Sequence, residues 1–284
     1  MFDFGIIRFG TGGMDMSYFY CKASAETEKG CVLSDNQPKR LYYQETGKGK
    51  PVVFLHGNTA SSRMFEPLLP LYEDRFRVIL VDFLGNGRSD RTEAFPPDLW
   101  QDEGRQVAAL LEHLKLGKAC LVGCSGGAWA AINAGLMRPD LVEAVAADSF
   151  DGRTLAGDFA EKLLAERTAA KKDEQAVGFY RWCQGDDWEQ VVDKDTEALV
   201  QCAKRKLPLF VKPLSELQVP LLLMGSLEDT MTRNDLRQEY EAAAAETGGK
   251  VCLFARGGHP ALYSNAEAAA EAICSFFEGR IMEG

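Results

Sequence analysis

The chain has 284 residues, 46% of them hydrophobic and 26% charged, which is ordinary globular material long enough for one large core carrying an insertion. Its 32 basic and 42 acidic residues leave a formal charge of -10, a balance that repels phosphate backbones and anionic lipid surfaces, so neither nucleic acid nor a membrane is expected as a partner. The 8 cysteines are scattered without a Cys-x-x-Cys pair, which disfavours zinc, and no leader-like segment or apolar span stands out, so a soluble cytoplasmic protein with reduced thiols is expected.

In chain order, residues 1–16 read as a loose extension of a core unit whose first part runs over residues 1–150. Tyr18 to Cys21 and Lys39 to Gln44 pattern as early strands before a turn at Thr46-Gly47-Lys48-Gly49. Val52 to Leu55 and Val78 to Val81 are continuous apolar runs of the kind buried on both faces of a parallel sheet. The first ends at His56-Gly57-Asn58 and the second at Asp82 and Gly85-Asn86-Gly87, with a helix expected over Ser62 to Tyr72 between them. Another helix opens at Pro96-Pro97-Asp98 and carries Val107, Leu110, Leu111 and Leu114 on one face. Lys118 to Val122 then reads as a strand, Ala128 to Met137 as an alanine-rich helix and Leu141 to Ala147 as a strand.

Over residues 151–214 the alternation gives way to helical, aromatic sequence, which predicts an inserted helical cap. It resumes over 215–284, with a strand at Val219 to Met224, a helix presenting Leu236, Tyr240, Ala243 and Ala244, a strand at Lys250 to Phe254, and a last helix with Ala269, Ile273, Phe276 and Phe277 inward. Strands alternating with helices imply right-handed crossovers and an α/β fold, a mostly parallel sheet with helices on both faces.

The chemistry centres on Gly123-Cys124-Ser125-Gly126-Gly127, which joins a strand to a helix. A serine at the tip of such a sharp turn needs near-absent side chains two positions before and two after, a demand that Gly123 and Gly127 meet. The following amide, of Gly126, points from a helix N-terminus toward developing negative charge. A serine hydroxyl is a poor nucleophile unless a base takes its proton and an acid orients that base. Of the 3 histidines, His113 falls on the polar side of a helix, His56 closes a buried strand where its task is to hold the local turn, and His259 sits in a glycine-flanked loop that can reach Ser125. The acid comes from Gly225-Ser226-Leu227-Glu228-Asp229, where Glu228 or Asp229 can face the histidine, with Asp148 and Asp151 as weaker choices.

With these motifs assembled, the chain resembles the α/β-hydrolase superfamily from about residue 38 to 279. The matching stretches are His56-Gly57-Asn58, Asp82 to Ser89, Gly123 to Gly127, the turn at Gly225 to Asp229, and Gly258-His259-Pro260. The resemblance implies Ser125 as nucleophile, His259 as base, Asp229 as orienting acid with Glu228 the alternative, and the backbone amides of Asn58 and Gly126 as the oxyanion hole. It implies no metal and no cofactor. Replacing the Asn58 side chain should then matter little unless that side chain is also used.

The fold hosts many chemistries, so a substrate has to be argued from the site. The expected function is a serine hydrolase acting on a small or medium carboxylic ester, with Phe179, Trp182 and Trp188 in the cap as substrate-contacting candidates. An aminopeptidase of the proline iminopeptidase kind is the alternative, with Asp186, Asp187 and Glu189 available to hold a substrate ammonium. A carbon–carbon hydrolase and a non-catalytic ligand-binding protein stand further behind.

Overall fold

Eight strands line up in one sheet in the order β1-β2-β4-β3-β5-β6-β7-β8. The computed structural model describes residues 15–21 and 39–279. The strands are β1 (Asp15–Cys21), β2 (Lys39–Thr46), β3 (Lys50–Leu55), β4 (Phe76–Asp82), β5 (Ala119–Cys124), β6 (Val142–Asp148), β7 (Leu221–Ser226) and β8 (Lys250–Phe254). β2 pairs antiparallel with both β1 and β4, and every other pairing is parallel. Of the expected N-terminal extension, residues 1–14 lie outside the described residues, whereas Asp15 and Met16 already belong to β1.

The helices are α1 (Leu99–Leu114), α2 (Gly126–Met137), α3 (Phe159–Ala170), α4 (Glu174–Gln184), α5 (Trp188–Arg205), α6 (Leu236–Thr247), α7 (Ala261–Ser264) and α8 (Ala266–Phe277). The helix expected over Ser62 to Tyr72 is present as a 3₁₀ helix over Ser62–Leu71. Pro67 and Pro70 inside it lack amide donors, which denies an α-type ladder two of its bonds.

Parallel strands must be covered on both faces, and the alternation along each strand carries this out. In β3, Val53 and Leu55 join a core cluster with Val107, Leu110, Ala128 and Tyr240, while Val52 and Phe54 join a second one with Phe65, Leu69, Ile273 and Phe277. Helices α1, α2 and α6 therefore cover one face, and the 3₁₀ helix with α8 covers the other. His113 is exposed, as its helical phase predicts, with its ring 4.6 Å from that of Phe19 on β1.

Helices α3, α4 and α5 lie between β6 and β7. They share a small cluster of Tyr180, Trp188 and Val192, with the Tyr180 and Trp188 rings stacked at 5.5 Å. The segments flanking these helices pack on the sheet unit: Arg153 pairs with Glu239 of α6 at 2.9 Å, and Leu209, Leu214 and Leu217 enter the first core cluster. The three-helix layer is fastened to the core by a forked Arg91–Asp187 pair at 2.7 and 2.8 Å and by the Gln184 amide, which donates to the Ala60 carbonyl and accepts from the Gly87 amide, both at 2.7 Å. Among the described residues no helix is long and apolar enough to cross a membrane.

Candidate active site

The carboxyl ends of β3, β5, β6 and β7 share one edge of the sheet, where open α/β sheets bind ligands. Ser125 follows β5 with φ 54° and ψ -121°, a left-handed conformation that a non-glycine residue holds only when its surroundings over-determine it. Those surroundings are visible. A Cβ on Gly123 would sit 2.2 Å from the Gly127 carbonyl oxygen, and one on Gly127 would sit 2.2 Å from that of Leu55, so both glycines are obligatory. The Ser125 amide donates to the Asp148 carbonyl at 2.8 Å and its own carbonyl accepts from Ala128 at 2.9 Å, which ties the turn to β6 and starts α2.

Asp229 and His259 meet beyond β7 and β8. Asp229 Oδ2 lies 2.8 Å from His259 Nδ1, and its Oδ1 accepts from the Met231 amide, also at 2.8 Å. The Asp229 carboxylate is fully enclosed, and the His259 ring keeps 13% of its side-chain surface open. Glu228 turns the other way and its Oε2 accepts from the Gly257 amide at 3.3 Å. Of the two carboxylates that the sequence leaves open, the fold thus brings Asp229 to the histidine. His56 serves the strand end, as expected: its Nε2 accepts from the Phe83 amide at 3.0 Å, so Nδ1 donates to the Gly57 carbonyl at 2.9 Å. Burial holds that ring's pKa below its ordinary value.

A second buried carboxylate, Asp148, braces the histidine loop. Its Oδ2 accepts from the Leu262 amide at 3.1 Å and its Oδ1 from the Ser149 hydroxyl at 3.1 Å, while Ser149 Oγ accepts from the Ala261 amide at 2.8 Å. Since the Asp148 carbonyl also holds Ser125, one residue links the serine turn to the segment after His259. Desolvation pushes its carboxyl up to about 7 against the Leu262 bond and the nearby imidazole. A carboxyl raised in the folded chain favours folding while protonated. That contribution is fully present below the unfolded value of 3.8 and is lost as pH rises toward about 7. Asp148→Asn is therefore expected to flatten the fall of thermal stability between about pH 4 and pH 8, a change on the order of a few kcal/mol. Parallel stability–pH curves for the two proteins would contradict this.

On the other side of Ser125 lies the loop after β3. A Cβ on Gly57 would stand 2.9 Å from Ser125 Cβ, so a bare residue is needed for the loop to approach. Asn58 then lays its carboxamide over the start of α2: its Oδ1 is 2.1 Å from where a Cβ on Gly126 would be. That oxygen accepts from Trp100 Nε1 at 3.1 Å, and Asn58 Nδ2 donates to Asp195 Oδ2 of α5 at 2.7 Å. Burial pushes the Asp195 carboxyl up to about 6, against the pull of Arg167 and of the Asn58 hydrogen bond. Trp100 and Asp195 escape a motif-based reading because neither belongs to a motif.

The cap aromatics sit in different places. Phe179 and Trp182 are partly buried, 6.2 Å apart, against the second core cluster, whereas Trp188 is buried within the cap beside Tyr180. Of the acidic run, Asp187 is taken by Arg91, and Asp186 and Glu189 are exposed.

The 2-(acetamidomethylene)succinate hydrolase of Mesorhizobium japonicum is 40% identical over 111 residues; the alignment spans 39% of this chain and 39% of that relative's length. A putative non-heme bromoperoxidase, BpoC, of Mycobacterium tuberculosis is 27% identical over 263 residues, covering 84% of this chain and 97% of that protein. The crystal structure of carboxylesterase CesB from Bacillus subtilis superposes with a TM-score of 0.65 at 23% identity, over 94% of this chain and 93% of that one, a likeness of fold. The model of the alpha/beta hydrolase family matches residues 52–272, and with the parallel sheet and the serine turn in place, this chain belongs to that family.

Proposed function

We propose that the protein is a serine hydrolase that cleaves a small or medium carboxylic ester through an acyl-enzyme. The observation that carries this is the 2.8 Å approach of the Asp229 carboxylate to His259 Nδ1, at the sheet edge that bears the strained Ser125. Asp229 holds the tautomer with the proton on Nδ1, which leaves Nε2 to accept the Ser125 proton. Ser125 Oγ then bonds to the ester carbonyl carbon, and the carbonyl π electrons move onto oxygen. The amides of Asn58 and Gly126 stabilise that oxyanion. Its collapse breaks the bond to the alcohol, which takes the proton from His259, and water repeats the sequence on the acyl-enzyme. A relative named for hydrolysis of 2-(acetamidomethylene)succinate and a fold neighbour named a carboxylesterase support acyl transfer. The engagement of Asp187 by Arg91 and the exposure of Asp186 and Glu189 weigh against the aminopeptidase alternative.

A panel of p-nitrophenyl esters of graded acyl length, run beside aminoacyl-nitroanilides, tests the proposal. Short and medium esters should dominate in kcat/KM; turnover confined to the anilides would sink the ester reading. The cap belongs to the same proposal, with Phe179 and Trp182 bounding the acyl pocket and Trp188 acting through its stack on Tyr180. Alanine at Phe179 or Trp182 should then shift chain-length preference by ~1–3 kcal/mol in relative kcat/KM. If folded alanine variants at all three positions kept the parent's profile, the cap would have no such part.

A further inference from the structure

Asp195 is a costly residue in an odd place. Along α5 the buried stripe runs Val191, Val192, Asp195, Ala198, Leu199 and Cys202, and Asp195 itself is 2% exposed. Its Oδ1 has no hydrogen-bond partner among the described residues, and its cation, Arg167 of α3, stands 3.7 Å away. A buried carboxylate with an open lone pair and a loose ion pair adds little to stability compared with an apolar side chain of similar size. The groups facing it from the packed elements are Arg167 and Glu166 of α3, Tyr180 of α4, Glu103 of α1 and Asn58. Its one well-formed side-chain hydrogen bond, at 2.7 Å, goes to Asn58 Nδ2.

Resting on the reading of Asn58 as an oxyanion-hole residue, we propose that Asp195 is a positioning residue for that hole. From the cap it holds the Asn58 carboxamide, so that docking of the cap completes the oxyanion site. The carboxamide is gripped at both ends, with Trp100 of α1 on its oxygen and Asp195 of α5 on its nitrogen. Gly126 is the second half of the device, because any Cβ there would occupy the place of Asn58 Oδ1. With both ends held, the Asn58 backbone has one orientation beside Ser125. With the cap end released, the Asn58 carboxamide keeps only its Trp100 bond and the backbone amide drifts from the developing charge. An oxyanion donor acts on the transition state more than on bound substrate, so the loss falls on kcat rather than KM.

The test uses the whole chain, p-nitrophenyl acetate as substrate, and Ser125→Ala as a control, with melting curves to establish folding at the assay temperature. Asp195→Leu and Asn58→Ala should each lower kcat about 10- to 100-fold with KM changed less than about threefold. The double variant should be no worse than the poorer single one, because both break one link. Asp195→Asn, whose amide oxygen still accepts from Asn58 Nδ2, should recover most of the loss. Parental kcat in folded Asp195→Leu, effects that multiply in the double variant, or an Asp195→Asn as poor as the leucine would each overturn the proposal. Should Asp195→Leu fail to fold, Asn58→Ala decides alone: a tenfold or greater fall in kcat at unchanged KM supports the link, and a parental kcat refutes it. An inactive Ser125→Ala beside unaffected Asp195 and Asn58 variants would remove this inference and leave the serine mechanism standing; an active Ser125→Ala would remove both.

Discussion

Ser125→Ala should lower kcat toward p-nitrophenyl esters by on the order of 10⁴ or more while leaving the fold intact. The size follows from what is removed. In the proposed mechanism alanine deletes the atom that forms the covalent intermediate, and the Asn58 and Gly126 amides and His259 would be left to assist a water molecule. The left-handed backbone at φ 54° is no easier for alanine than for serine, so the turn keeps its strain, its link to Asp148 and its glycine packing. Melting temperatures should therefore agree within a few degrees. A variant that kept parental turnover would end the account of this site as a serine hydrolase.

Asp229→Asn should be nearly as damaging, with kcat lowered on the order of 10³–10⁴-fold, while Glu228→Gln stays within a few-fold of the parent. The carboxylate of Asp229 is fully enclosed and faces His259 Nδ1 at 2.8 Å, so an amide there presents either a donor to a donor or the wrong tautomer to the ring. Glu228 spends its oxygen on the Gly257 amide at 3.3 Å, a bond that glutamine can still accept. Steady-state kinetics on the two amide variants separates them; a crippled Glu228→Gln beside a healthy Asp229→Asn would reverse the assignment.

The sheet and the serine turn were legible because their physics is local. Continuous apolar runs mark strands covered on both faces, and Gly123 and Gly127 stand where any Cβ would strike backbone 2.2 Å away. No such local signal separates two adjacent carboxylates in one turn. Glu228 and Asp229 differ by where the backbone aims them, which is marked by the Asp229–Met231 contact within the turn after β7 and the Glu228–Gly257 contact to the loop after β8. The helix over Ser62–Leu71 is legible from its apolar spacing, but its 3₁₀ form is not, because that spacing suits either form and the two prolines weigh on hydrogen bonding rather than periodicity. The use of the Asn58 side chain was hidden because its two partners lie 42 and 137 residues further along the chain. Yet a trace existed: Glu103 and Asp195 each interrupt the buried stripe of a helix, and a carboxylate on an apolar face marks a position where something other than burial is at work.

In the proposed mechanism Ser125 carries the acyl group. Rapid mixing of the parent protein with p-nitrophenyl acetate, followed by acid quench and peptide mapping, tests it most directly. A burst approaching one p-nitrophenolate per chain is expected, with an acetyl mass confined to the peptide holding Ser125, both absent from Ser125→Ala. Turnover without that adduct, or an acetyl group trapped on another residue with Ser125→Ala still reacting, would contradict it.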